Sequence, residues 1–223
     1  MPDTASGTGS KITRLILLPS LITLAVTIVR LVGELQNWSP RWFNREMGPS
    51  IVAILWLPPI FGIYFALKLA NAGYPPKSYL RAISYAALGV VILIASFYAG
   101  DALNVRQSFY VRLVYAWTFF AVAALVTLRG WPKLFESLLA YGYAARIPVA
   151  IIIFFAYRGN WGTHYDAAPP DVPVLGLVAK YVWLGFFPQL LLWVAFTILA
   201  GMLSGTIAAG IAFLVRIERG TAS

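Results

Sequence analysis

The stretch from Leu134 to Tyr157, LFESLLAYGYAARIPVAIIIFFAY, decides the fold class. It is apolar for long enough to cross a hydrocarbon core of roughly 30 Å as a helix rising 1.5 Å per residue. Its apolar residues run consecutively, as in Val149 to Phe155, where a membrane β-strand would alternate at period two. One residue contradicts the setting. Arg146 lies near the middle, and a guanidinium there is expensive and cannot shed its proton. It therefore needs a partner or water, and Pro148 beside it leaves the carbonyl of Ala144 without its helical donor.

The rest of the chain repeats the pattern. Of its 223 residues 60% are hydrophobic and 11% charged, against about 25% charged in a soluble domain. Mean hydropathy is +0.77. Apolar runs of helical span length alternate with short polar joints, so the expected architecture is all-α: a polytopic transmembrane bundle of about six spans. Residues 1–12 read as a disordered cytoplasmic tail, 13–217 as one transmembrane domain and 218–223 as a short cytoplasmic tail.

Span one runs from Thr13 to Leu35. Trp38 and Trp42, flanked by Arg41 and Arg45, predict a short interfacial helix within Gln36 to Pro49. Span two, Ser50 to Ala70, carries Pro58-Pro59 near its middle, where a break or kink is expected; a second kink is expected at Pro148. Spans three and four are Tyr79 to Gly100 and Ser108 to Leu128. Span five is the Arg146 run. Val172 to Ile217 is too long for one span and divides badly into two. It reads as an interfacial helix through Lys180, then a span from Pro188 to Val215. Breaks in the second span of each half also suggest an inverted repeat flanking a midplane site.

The net charge is +9, but the basic residues are scattered through short loops without interleaved aromatics, which argues against nucleic acid. With six spans and a cytoplasmic N-terminus, nine Lys/Arg residues (Lys11, Arg14, Lys68, Lys77, Arg81, Arg129, Lys133, Arg216, Arg219) face inward and seven (Arg30, Arg41, Arg45, Arg106, Arg112, Arg158, Lys180) outward. That weak bias favours both termini inside, in a cell (inner) membrane, with anionic lipid as a partner. A seventh span would reverse it. Cysteine is absent, which removes disulfides, thiolate metal sites and cysteine nucleophiles.

Four groups of residues stand out. Arg146 is the centre of an intramembrane polar site, serving either an anion or a structural tie. Arg30 and Glu34, four apart, share a helix face and can pair; Glu34 is also the first candidate partner for Arg146. In the loop Arg158 to Asp166, His164, Asp166 and Trp161 are candidates for an interfacial site. One histidine is too few for a usual metal set, and no serine elbow accompanies it, so no metal, cofactor or catalytic residue is assigned. Rhodopsin-like, P-loop, kinase and metalloprotease motifs are absent. Gly201, Gly205 and Ala209 repeat every four residues and let two helices approach closely, within the chain or between copies.

Three functions remain open on these residues. The first is a transporter-like or channel-like component with a polar or anion site near Arg146. The second is a structural or assembly subunit of a larger membrane complex. The third is a lipid-acting enzyme using the His164 to Asp166 loop.

Overall fold

The computed structural model describes residues 4–46 and 50–221, without the side chains of residues 4–11, 106, 220 and 221. Its elements are α1 (Thr4–Leu35), α2 (Leu57–Asn71), α3 (Tyr79–Ala102), α4 (Phe109–Thr127), α5 (Pro132–Gly159), the short α6 (Leu177–Lys180) and α7 (Trp193–Thr221). All are helical, and six helices are long and apolar enough to cross a membrane: Ile12–Leu35, Ile54–Asn71, Tyr79–Ala102, Phe109–Thr127, Pro132–Gly159 and Leu177–Arg219. Successive spans reverse direction, so the connections 36–53, 103–108 and 160–176 gather at one end of the bundle.

α7 lies at the centre, packed on α2, α3, α4 and α5, while α1 packs mainly on α5. In lipid no hydrophobic force draws one apolar helix to another, so close approach of backbones has to supply the attraction. α2 and α7 meet in this way. A Cβ built on Gly62 would lie 2.4 Å from Cα of Gly201, and one on Gly205 would lie 2.5 Å from the carbonyl oxygen of Gly62. Ser204 Oγ donates to the carbonyl of Pro59 at 2.8 Å across the same contact. Gly201, Gly205 and Ala209 are all buried; Gly201 and Gly205 lie against Gly62 of α2, and a Cβ on Gly201 would also come within 2.4 Å of Leu138 on α5, so these glycines are covered by helices of the same chain. Around them Phe61 and Phe65 each pack edge to face on Tyr141, with ring centroids 5.4 and 5.5 Å apart.

Several local expectations are revised. The segment after α1 forms turns through residue 46, not an interfacial helix. Asn37 takes a left-handed conformation (φ 54°), and Phe43 packs so closely over Gly33 that a Cβ there would come within 2.4 Å of its ring. Pro58 and Pro59 occupy the first turn of α2, directly after a 3-10 turn at Ile54–Trp56. Their missing N–H groups fall where a helix has no internal acceptors to serve, so they open the helix instead of interrupting it mid-span. α5 runs without a break through Pro148, which leaves the two halves without matching proline positions.

The largest revision concerns the last span. No break occurs at Pro188, and no separate interfacial helix precedes it: the chain is helical from Leu177 to Arg219. Two π-helical segments, Tyr181–Phe186 and Pro188–Leu192, absorb the irregularity. Phe187 N–H donates to Val182 and Trp193 N–H to Pro188, each five residues back. At the termini, the backbone is helical from Thr4 and through Thr221; the remainder of the expected tails, residues 1–3 and 222–223, lies outside the described residues.

Candidate functional site

α1 presents a buried polar face. Thr23, Thr27, Arg30 and Glu34 recur at helical spacing, with exposures of 1%, 2%, 8% and 0%. Each meets a partner. Thr23 Oγ1 lies 2.8 Å from the Tyr141 hydroxyl on α5, and both threonine hydroxyls also donate to carbonyls four residues back on their own helix. Arg30 Nε donates to Glu34 Oε1 at 2.8 Å, and Arg30 Nη2 reaches the Asn44 carbonyl at 3.3 Å.

Glu34 is satisfied from across the molecule. The backbone N–H of His164 donates to its Oε2 at 2.9 Å, and His164 Nδ1 lies 2.6 Å from its Oε1, without the direction of a good hydrogen bond. Tyr165, buried, donates from its hydroxyl to the Thr27 carbonyl at 3.2 Å. These contacts lay the 160–176 connection over the end of α1. Burial pushes the His164 imidazole below its usual pKa, with the Arg30 charge adding to the effect and Glu34 opposing it. Burial pushes the Tyr165 phenol upward.

Asp166 has a different task from His164, its neighbour two residues away. Its Oδ2 accepts the Gly162 N–H at 2.9 Å, and its Oδ1 accepts the N–H and hydroxyl of Thr163 at 2.7 and 2.8 Å. The carboxylate closes the turn that begins where Asn160 caps α5 with a left-handed φ of 47° and Gly162 continues at φ +62°. Trp161 lies over Gly159, where a Cβ would approach its indole nitrogen to 2.3 Å. At the far edge of the connection, Arg112 on α4 pairs with exposed Asp171 at 2.5 Å and holds its carboxyl below the usual range.

Arg146 is 5% exposed. Among the described residues no carboxylate pairs with it, and Glu34 is engaged by Arg30 and His164 instead. Its contacts come from the π-helical region of the last span. Nη1 donates to Gln189 Oε1 at 3.4 Å, and the guanidinium carbon lies 4.9 Å from the centroid of the Trp193 ring. Nε is buried with no acceptor. π-helical turns concentrate at functional sites because they re-aim side chains, and here the second one carries Gln189 to Arg146.

These groups border one cavity of about 420 Å³. Arg30, Arg146, His164, Tyr165 and Gln189 contribute its polar wall, and Ala53, Ile54, Leu55, Val149, Ile153 and Leu184 an apolar one. Among the described residues no acidic one lines it. Of the sequence candidates, Arg30, Arg146 and His164 meet here, and Glu34 stands directly behind two of them. Asp166 and Trp161 shape the covering loop, while Gly201 and Gly205 belong to the α2–α7 contact and Ala209 is buried further along α7. Sequence reasoning missed Gln189 and the threonines of α1. A glutamine in an apolar span and a polar stripe at period 3.6 are signals that would have found them.

No family model, curated protein or solved structure matches the chain. Among the described residues no group of three or more histidine, cysteine or acidic side chains is placed to hold a metal ion.

Proposed function

We propose that this multi-pass membrane protein binds an anion in the cavity bordered by Arg30 and Arg146, as a transporter-like or channel-like component. The observation that carries the reading is Arg146: buried, on a cavity wall without acids among the described residues, and incompletely partnered. Magnitudes support a missing partner. Placing the charge at mid-membrane costs about 2.5–3.5 kcal/mol on insertion scales. A desolvated cation–π contact returns about 2 kcal/mol, and the Gln189 bond, at 3.4 Å, is longer than a good N–H···O bond. The buried Nε–H without an acceptor adds about 1–3 kcal/mol of cost. An anion would remove that deficit.

The rival readings draw less support. As a catalytic pair, His164 and Asp166 serve separate partners, Glu34 and the turn backbone. As a contact for an assembly, the glycines of α7 are already covered, Gly205 by α2 and Gly201 by α2 and by Leu138 of α5.

The test is thermal unfolding in neutral detergent with rising inorganic phosphate. The wild-type protein is expected to gain stability with phosphate. Arg146→Gln is expected to insert and fold but to gain nothing. An Arg146→Gln protein that fails to fold would make Arg146 a structural tie and end the anion reading.

A further inference from the structure

The cavity says more about its ligand than the sign of its charge. At about 420 Å³ it falls in the size range of sites for organic ligands, roughly 300–1,000 Å³, well beyond what a single inorganic anion fills. Its charge is small. Arg30 is neutralised by Glu34 at 2.8 Å, and burial favours the neutral imidazole of His164. Among the described residues Arg146 is left as the one cation on the walls without a countercharge, which matches one negative charge and leaves a dianion in excess.

The remaining wall is hydrocarbon. Val149 and Ile153 are buried, while Ile54, Leu55 and Leu184 are half-buried. Gly185 allows the π-helical segment to lie against α5, since a Cβ there would come within 2.6 Å of Ile153. A small hydrated anion gains nothing from such a wall; a hydrocarbon chain fills it.

Building on the anion reading, we infer that the cavity takes a monoanionic amphiphile, its acidic group against Arg146 and its chain along Ile54, Leu55, Val149, Ile153 and Leu184. A fatty carboxylate and a phosphodiester lipid share this chemistry. Both present one charge and two oxygens to a guanidinium, a geometry that Arg matches better than Lys.

The experiment is native mass spectrometry, with thermal unfolding, on the full chain in neutral detergent. The probes are oleate, phosphatidylglycerol, phosphatidylcholine and inorganic phosphate. Oleate or phosphatidylglycerol is expected to bind one per chain, at least about tenfold tighter than phosphate, since each buried methylene adds ~0.8 kcal/mol. Ala53→Leu, which fills the apolar wall at a half-buried position, is expected to weaken the amphiphile by about tenfold and leave phosphate within about twofold. Arg146→Gln is expected to weaken both probes, and Arg146→Lys to restore part of the loss. Preference for oleate over phosphatidylglycerol, or the reverse, identifies the acidic group. Equal binding of oleate and phosphate, both lost in Arg146→Gln, would overturn the amphiphile inference and leave the anion reading standing. Equal binding of phosphatidylcholine and phosphatidylglycerol, unaffected by Arg146→Gln, would overturn both.

Discussion

The two ends of the bundle are held together by different physics. Where α2 crosses α7, backbones approach so closely that a Cβ on Gly62 would sit 2.4 Å from the Gly201 backbone. Toward the opposite end the helices part around a cavity of about 420 Å³, and specific polar contacts replace packing. One region depends on having no side chain, the other on having particular ones. In lipid this division has a physical basis. Close packing is what joins apolar helices, so a region that gives it up for a cavity needs hydrogen bonds and ion pairs in its place.

Removing the central polar contact should therefore cost most. Glu34 accepts from Arg30 and from the His164 backbone while fully buried. Glu34→Ala leaves Arg30 buried without its countercharge, a change expected to cost about 3–5 kcal/mol. Glu34→Gln, which keeps an acceptor and loses the charge, should cost less. Unfolding in detergent measures both, and loss of order in the 160–176 connection under limited proteolysis should accompany the first. An Ala variant as stable as wild type would mean that packing holds this end too.

The opposite end offers the matching experiment. Gly62→Ala adds one methyl where backbone already stands at 2.4 Å, and overpacking of this kind costs about 1–3 kcal/mol. Because α2 and α7 touch the cavity region through separate residues, the cost should appear in stability and not in anion-induced stabilisation. A Gly62→Ala protein that folds normally but loses anion binding would show that the two ends are coupled, and the comparison would fail.

The sequence displayed these two ends unequally. Glycines repeating at Gly201 and Gly205 announce a close approach through local spacing, although nothing local names Gly62 as the partner. Arg30 and Glu34 announce their own pairing in the same way, four apart on one helix. The six apolar runs and the all-α architecture follow from hydropathy and length, which local composition carries completely. The cavity depends on what local composition does not carry. His164 meets Glu34 across 130 positions of chain, and only the tertiary path of the connection brings them together. Gln189 reaches Arg146 because the helix widens into π turns around Pro188. A proline in a long apolar run reads equally well as a break, so the span was expected to start there. Arg146 itself stood out because a charge in hydrocarbon is costly at any address, whatever the fold around it.

The smallest expected effect is a pH dependence confined to the polar end. His164 is covered by its own connection and faces Glu34 and Arg30 from α1, with Asp166 nearby on the same loop. Burial lowers its pKa in the folded protein below the unfolded value of about 6.5. The unfolded chain therefore takes up the proton first as pH falls. The stability that depends on a neutral His164 is complete above about pH 6.5, declines as pH drops below it, and levels off once the folded-state imidazole also titrates. Thermal unfolding at a series of pH values should show this decline in the wild-type protein. His164→Asn should flatten it while keeping the backbone N–H that Glu34 accepts, and Gly62→Ala, at the packed end, should shift the whole curve downward without changing its shape. A wild-type curve that rises toward acid would mean that Glu34 outweighs burial and Arg30, with the imidazole charged in the fold; the polar wall of the cavity would then carry a second unmatched cation, and a dianion would fit it better than a monoanion.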